Sequence, residues 1–297
     1  MKRLKISRDN KAWFYLLPWI IGMLLLQVVP FISSFWYSLT DFNPISREAN
    51  FIGLQNYIQL FTRDPEFFTS LRATVLFTLY TVPARIIFSL VIALLLNKAR
   101  KGIGILRTVY YLPSLFGGSV AVAILWRLMF MDQGIVNGIL NFLSLPSVPF
   151  FGDPRFALPT LSSLEVWQFG SSMVMYLAAL KQVPQSLCEA ADIDGSSKIR
   201  SFFSITFPMI SPIVFFTIIM QTINALQNFT SAFIITQGGP VRSTYMLGLK
   251  LFNDGFTFFR MGYASATSWV IFALVLVLTL VMFGTSKYWV FYGDEDN

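Results

Sequence analysis

The sequence predicts an all-α integral membrane protein with six transmembrane helices, and three observations carry that reading. The 297-residue chain is 55% hydrophobic and only 12% charged, where soluble domains run near a quarter charged. Its apolar runs are continuous rather than alternating, which favours helices over a barrel. Six of the runs are long enough to cross a bilayer, which takes ~20 mostly apolar residues.

The spans are expected at about 13–36, 71–96, 104–130, 158–180, 206–235 and 264–289. The first is too long for a signal-peptide core and lacks a small-residue cleavage site, so it reads as a retained helix. The second holds Arg85, the one charge well inside a span, placed to line a cavity or to snorkel. The third ends at Trp126-Arg127, read as an interface anchor. The fourth is the weakest by hydropathy and carries Glu165 close to its outer end. The fifth is entered through Pro208 and Pro212, which should bend or restart the chain. The sixth is followed by Lys287 and the acidic run Asp294-Glu295-Asp296. With no repeat or low-complexity linker, residues 13–290 read as one membrane domain between a terminal segment 1–12 and a tail 291–297.

Orientation follows from the basic residues. With the N-terminus inside, thirteen Lys and Arg fall on inner segments and eight on outer ones, with Arg85 in a span. The first helix shows the bias most clearly, as the positive-inside rule requires, and both termini are expected in the cytoplasm of a multi-pass cell-membrane protein. The net charge of +7 reflects this topology; a nucleic-acid role would need a folded basic reading surface, which is not evident. Cys188 is the single cysteine and there is no histidine, which excludes an internal disulfide, Cys/His zinc sites and histidine-dependent triads. No G-x-x-x-x-G-K-[ST] is present to cradle ATP phosphates. The spans hold few of the buried carboxylates that ion-driven carriers use. A six-helix protein without its own ion relay or nucleotide site needs an external engine.

The most structured loop is expected at about 183–204, between the fourth and fifth spans. Pro184 suits the first turn of a short helix. Ala190 and Ala191 give it a low profile that lets a partner approach closely, and Gly195 can take positive φ and end it sharply. Ser196 is a plausible cap for the next helix, which carries Phe202 and Ile205 inward. Glu189, Asp192 and Asp194 supply an acidic face.

The run Glu189-Ala190-Ala191-Asp192-Ile193-Asp194-Gly195, followed by Phe202, Ile205, Pro208 and Pro212, resembles the cytoplasmic coupling loop of permease subunits from binding-protein-dependent ABC sugar importers of the maltose-transporter type. Cys188, where the family often has tyrosine, and Ser196, where it usually has alanine, depart from the pattern without altering charge or turn. A second resemblance is Thr236-Gln237-Gly238-Gly239-Pro240 with Ser243-Thr244, matching an outer T-x-G-G-P loop of sugar permeases. The likeness covers roughly residues 70–290. It implies the type I ABC importer permease fold, with a coupling helix seated in a separate ATPase. It also implies a second homologous permease, two ATPase subunits that bind the ATP and magnesium, and an extracytoplasmic substrate-binding protein that delivers sugar. This chain would hold no cofactor and do no covalent chemistry.

The sugar path is read from polar residues inside the spans. Thr217, Gln221, Asn224 and Asn228 recur at i, i+4, i+7 and i+11, one helical face, with Gln227 at its edge. Trp167, Gln168, Ser171 and Ser172 on the fourth span add an aromatic face and further hydrogen-bonding groups, suited to sugar hydroxyls. The same groups could instead be interhelical glue. The maltose-type resemblance places sugar contacts on these two helices. Open alternatives are an ABC permease for another solute, such as an anionic sugar or glycerol phosphate, and an ion-coupled secondary carrier.

Overall fold

The structure is a computed structural model that describes residues 8–98 and 102–291. Most of the terminal segment 1–12, nearly all of the tail 291–297, and Arg100 and Lys101 lie outside the described residues. The described residues form fourteen α-helical segments and four π-type turns, with one isolated antiparallel bridge between Thr40 and Phe51.

Two compact units divide the chain: Met1–Asp64 with Leu251–Val270, and Pro65–Lys250 with Ile271–Asn297. In the first, α1 (Arg8–Met23) passes through a π turn at Leu24–Val28 into α2 (Val29–Ser38), and α3 (Gln55–Thr62) follows. The buried Asn56 amide donates to the carbonyls of Ser38 and Thr40 at 2.9 and 2.8 Å. Gly262 packs so tightly on Thr40 that a Cβ would lie 2.1 Å from its carbonyl oxygen.

The second unit holds α4 (Pro65–Leu96), α5 (Ile103–Leu115), α6 (Val120–Phe130), α7 (Ile135–Phe142), α8 (Pro154–Trp167), α9 (Gly170–Leu180), α10 (Gln185–Ile193), α11 (Lys198–Ser201), α12 (Phe207–Leu226) and the first four residues of α13 (Leu247–Phe252). The last helix, α14 (Met261–Ser286), begins in the first unit and ends in the second. The core of the second unit joins Phe77, Trp126, Leu161, Ile235 and Met246 in one cluster, and Ala93, Phe169, Met173, Tyr176 and Ile210 in another.

Five segments are long and apolar enough to cross a membrane: Trp13–Ser38, Pro65–Leu96, Val120–Phe142, Lys198–Leu226 and Met261–Ser286. Spans one, two and six match the expected positions within a few residues. The third differs: 104–130 is not one helix. It breaks at Phe116–Ser119, where Gly118 takes φ +70°, a conformation that only glycine adopts freely. The fourth also differs. It starts at Pro154, capped by Asp153, whose carboxylate accepts from Arg155 N at 2.8 Å, and it breaks at Gln168–Phe169. The Arg155 side chain holds the Asp153 carboxyl below its ordinary range. The α8 and α9 pieces are fourteen and eleven residues long, which explains the weak hydropathy signal of a single window. The fifth ends at Leu226, short of the expected 235, with a separate π turn at Ala232–Thr236.

Two π turns share a cause. Leu24–Val28 and Phe202–Thr206 each end two residues before a proline, Pro30 and Pro208. Proline cannot donate to the carbonyl four residues back and clashes with it, and a local π register relieves the conflict. At Pro212 the freed Pro208 carbonyl is taken by the Ser211 hydroxyl at 2.6 Å.

Candidate functional site

Two sites follow from this frame. The first is the loop joining α9 to α12. Pro184, with ψ 125°, precedes α10 as its cap rather than opening its first turn. At the other end Gly195 sits at φ +72°. Its N–H donates to Asp192 O at 3.1 Å, and Ser196 N donates to Ala191 O at 2.9 Å. This pair of bonds is the Schellman arrangement, which needs a left-handed residue after the helix. Ser197, not Ser196, caps α11: its hydroxyl accepts from Arg200 N at 3.3 Å, while the backbone N–H of Ser196 closes α10.

The loop is firmly built yet uncovered. Glu189, Ala190, Asp192, Asp194 and Gly195 are exposed and Ala191 is half-buried, with Gln185 Nε2 donating to Glu189 Oε1 at 2.8 Å. Beside these carboxylates stand Ile193 at 86% exposure, Ile199 at 73% and Phe203 at 63%. Phe202 and Ile205 are half-buried, as expected. A capped helix that shows isoleucines and acids together has the makeup of a docking surface.

The second site lies where α4, α8, α9 and α12 meet. Arg85 Nη2 donates to Gln168 O at 2.6 Å, the carbonyl left over where α8 breaks. Its Nη1 lies 3.5 Å from Glu165 Oε2. Asn228 Nδ2 donates to Glu165 Oε1 at 3.0 Å, and the Ser231 hydroxyl donates to Asn228 Oδ1 at 2.5 Å. Gln221 Nε2 donates to Ser172 Oγ at 3.1 Å, and the Tyr176 and Thr217 hydroxyls are 2.5 Å apart. Glu165 therefore sits in the last turn of α8, next to the break that separates it from α9.

The stripe is only partly what its spacing promised. Asn228 lies beyond the end of α12, so an eleven-residue helical offset does not apply to it. Gln168 and Ser172 are buried, and Gln221 and Asn228 are half-buried and bonded to the α8–α9 pair. Trp167, Ser171 and Asn224 are exposed. Trp126 is not an interface anchor: it is 9% exposed, packs against Trp167 with tilted rings 5.5 Å apart and donates to Thr160 O at 3.2 Å. The Arg85–Glu165 pair is the feature that sequence reasoning missed. Two lone opposite charges in separate spans were the available signal, since a charge in a membrane needs a partner.

The Thr236–Thr244 turn is stitched by its own motif. The Thr236 and Thr244 hydroxyls are 2.7 Å apart, and Thr244 Oγ1 donates to Gly239 O at 2.7 Å. Gln237 and Gly238 both take positive φ.

Residues 67–289 match the family model of the binding-protein-dependent transport system inner membrane component. The chain is 44% identical over 299 residues to the probable ABC transporter permease protein YesP of Bacillus subtilis (strain 168), covering 99% of this chain and 96% of that one. It is 33% identical to the trehalose/maltose transport system permease protein MalF of Thermococcus litoralis, covering 96% and 97%. Its fold matches a chain of the bacterial alginate ABC transporter, solved in complex with an alginate pentasaccharide-bound periplasmic protein, with a TM-score of 0.81, 23% identity and coverage of 96% and 98%.

Proposed function

This chain belongs to the binding-protein-dependent transport system inner membrane components, and from that premise we propose that it is one permease subunit of an ATP-driven ABC importer for sugars or oligosaccharides. It is a multi-pass membrane protein and does no covalent chemistry of its own. Its membrane domain spans 13–290, with both termini in the cytoplasm. A second, similar permease completes the pathway. Two ATPase subunits dock on the cytoplasmic side and bind the ATP and magnesium, and a substrate-binding protein delivers sugar from outside.

The observation that carries this reading is the exposed, Schellman-closed helix Gln185–Ile193, with Glu189, Ala190, Ala191, Asp192 and Asp194 on a rigid turn at Gly195. ATP binding draws two such loops together, and the motion passes through α9 and α12 to the polar junction of Gln168, Ser172, Gln221 and Asn228. Trp167, Ser171 and Asn224, which are exposed, face the sugar. The names of the relatives support a carbohydrate cargo.

Affinity purification of the tagged chain with its native neighbours tests the reading. Wild type should bring down an ATPase and a second permease, and Glu189→Arg or Gly195→Trp should lose the ATPase. A chain recovered alone, or an ATPase retained by both variants, would refute it.

A further inference from the structure

Residues Arg72, Leu76 and Tyr80 of α4, Arg155 and Leu158 at the start of α8, and Val241 to Ser243 help to line a pocket of about 330 Å³, within the ~300–1,000 Å³ range of ligand sites. It sits at the Pro154 end of the α8–α9 pair. The coupling loop follows the opposite, Leu180 end, beyond both helices of the pair. On the proposed topology the pocket is external.

Its border is cationic. Three arginines border it: Arg72, Arg155 and Arg242. Arg242 pairs with Glu66 at 2.6 Å and Arg155 with Asp153 at 2.6 Å. Arg72 is exposed, and its guanidinium makes no ion pair or hydrogen bond among the described residues. Three cations against two carboxylates leave one positive charge. An independent observation points into the same place: Ser243 lines the pocket, and its hydroxyl oxygen is buried with no hydrogen-bond partner. Buried hydroxyls are nearly always paired. The remaining wall is Leu76, Tyr80, Leu158 and two prolines, an apolar and aromatic surface for the carbon face of a ring.

We infer that this pocket binds the carboxylate of an acidic sugar residue, with Arg72 as the charge partner, Ser243 as hydroxyl donor and Tyr80 against the ring. Guanidinium is suited to this role because its fork matches a carboxylate in two parallel hydrogen bonds. The inference rests on the importer reading and narrows its cargo to sugars carrying a carboxylate.

The test is binding to the purified complex of this chain with its partners. The probes are a uronic-acid trisaccharide and a neutral trisaccharide of the same linkage, for wild type, Arg72→Gln, Ser243→Ala and Arg63→Gln. Arg63 removes the same charge from a position outside the pocket. The acidic trisaccharide should bind about tenfold tighter than the neutral one, a gap of ~1.4 kcal/mol. Arg72→Gln and Ser243→Ala should close that gap while Arg63→Gln leaves it. Equal binding of the two sugars, or an acid preference that survives Arg72→Gln, would overturn the assignment. So would phosphatidylglycerol in nanodiscs occupying the pocket without displacement by the uronate, which would make it a lipid site. ATPase co-purification in all four proteins separates a failure here from a failure of the importer reading.

Discussion

Arg85 and Glu165, eighty positions apart in sequence, face each other with Arg85 Nη1 3.5 Å from Glu165 Oε2 and side chains only 11% and 21% exposed. The same guanidinium holds the Gln168 carbonyl at the α8 break, and the same carboxylate holds Asn228 beyond the end of α12. One ion pair thus ties a continuous helix to the interruptions of two others.

Removing one partner should be worse than removing both. A lone buried charge costs about 3–5 kcal/mol, whereas an apolar pair of similar volume can be nearly neutral. Glu165→Gln and Arg85→Met should each lower the thermal midpoint of the purified protein strongly. Arg85→Met combined with Glu165→Met should recover part of the loss. Additive losses in the double mutant would show that the two charges do not interact.

Gly170 opens α9 against α5. A Cβ there would lie 2.6 Å from Tyr110 O and 2.7 Å from Tyr111 Cα, both backbone atoms, whereas one at Gly138 meets nothing within 4 Å. Gly170→Ala should therefore destabilise by at least the ~1–3 kcal/mol of an overpacked core. Gly138→Ala, inside α7, should be neutral or stabilising by up to ~1 kcal/mol. Thermal melts of the two variants beside wild type check this, and equal midpoints would contradict the close approach.

These contacts also show where the sequence was legible. The short helix Gln185–Ile193 and its turn at Gly195 were readable because their determinants are local: a proline, a small-residue face and a glycine whose left-handed turn is dictated within seven residues. Spans one, two and six were readable because their apolar runs are unbroken. The breaks at Phe116–Ser119 and Gln168–Phe169 were not, since hydropathy averages over a window and cannot see a single left-handed Gly118. Ser196 was expected to cap α11, but α11 starts one residue later, and it is the Ser197 hydroxyl that meets Arg200 N. Arg85 was noted and Glu165 was noted, but pairing them needed the two helices in space.

At the turn that closes α10, Gly195→Ala forces a Cβ into φ +72°, which costs about 1–2 kcal/mol for an L-residue. The space around it is empty, so the strain is purely conformational and confined to the loop. The variant should keep the midpoint of the membrane domain while sugar-stimulated ATP hydrolysis by the complex falls severalfold. Gly195→Asn, which tolerates the left-handed region better, should retain more activity than alanine. Equal hydrolysis in all three would mean that this turn does not transmit motion.

The polar stripe separates into two jobs, and leucine substitutions tell them apart. Gln221 and Asn228 bond to Ser172 and Glu165, so replacing either removes an interhelical hydrogen bond worth ~0.6 kcal/mol on average. Asn224 is exposed on the same helix, so Asn224→Leu should leave the midpoint unchanged. If its amide meets the cargo, uptake should nevertheless drop. Uptake and melting measured together for Asn224→Leu, Gln221→Leu and Asn228→Leu give the answer. Lost uptake with unchanged stability in Asn224→Leu would assign that face to the sugar path. Normal uptake in Asn224→Leu with lowered midpoints in the other two would make the stripe a packing seam and leave Trp167 and Ser171 as the exposed candidates on the facing helices.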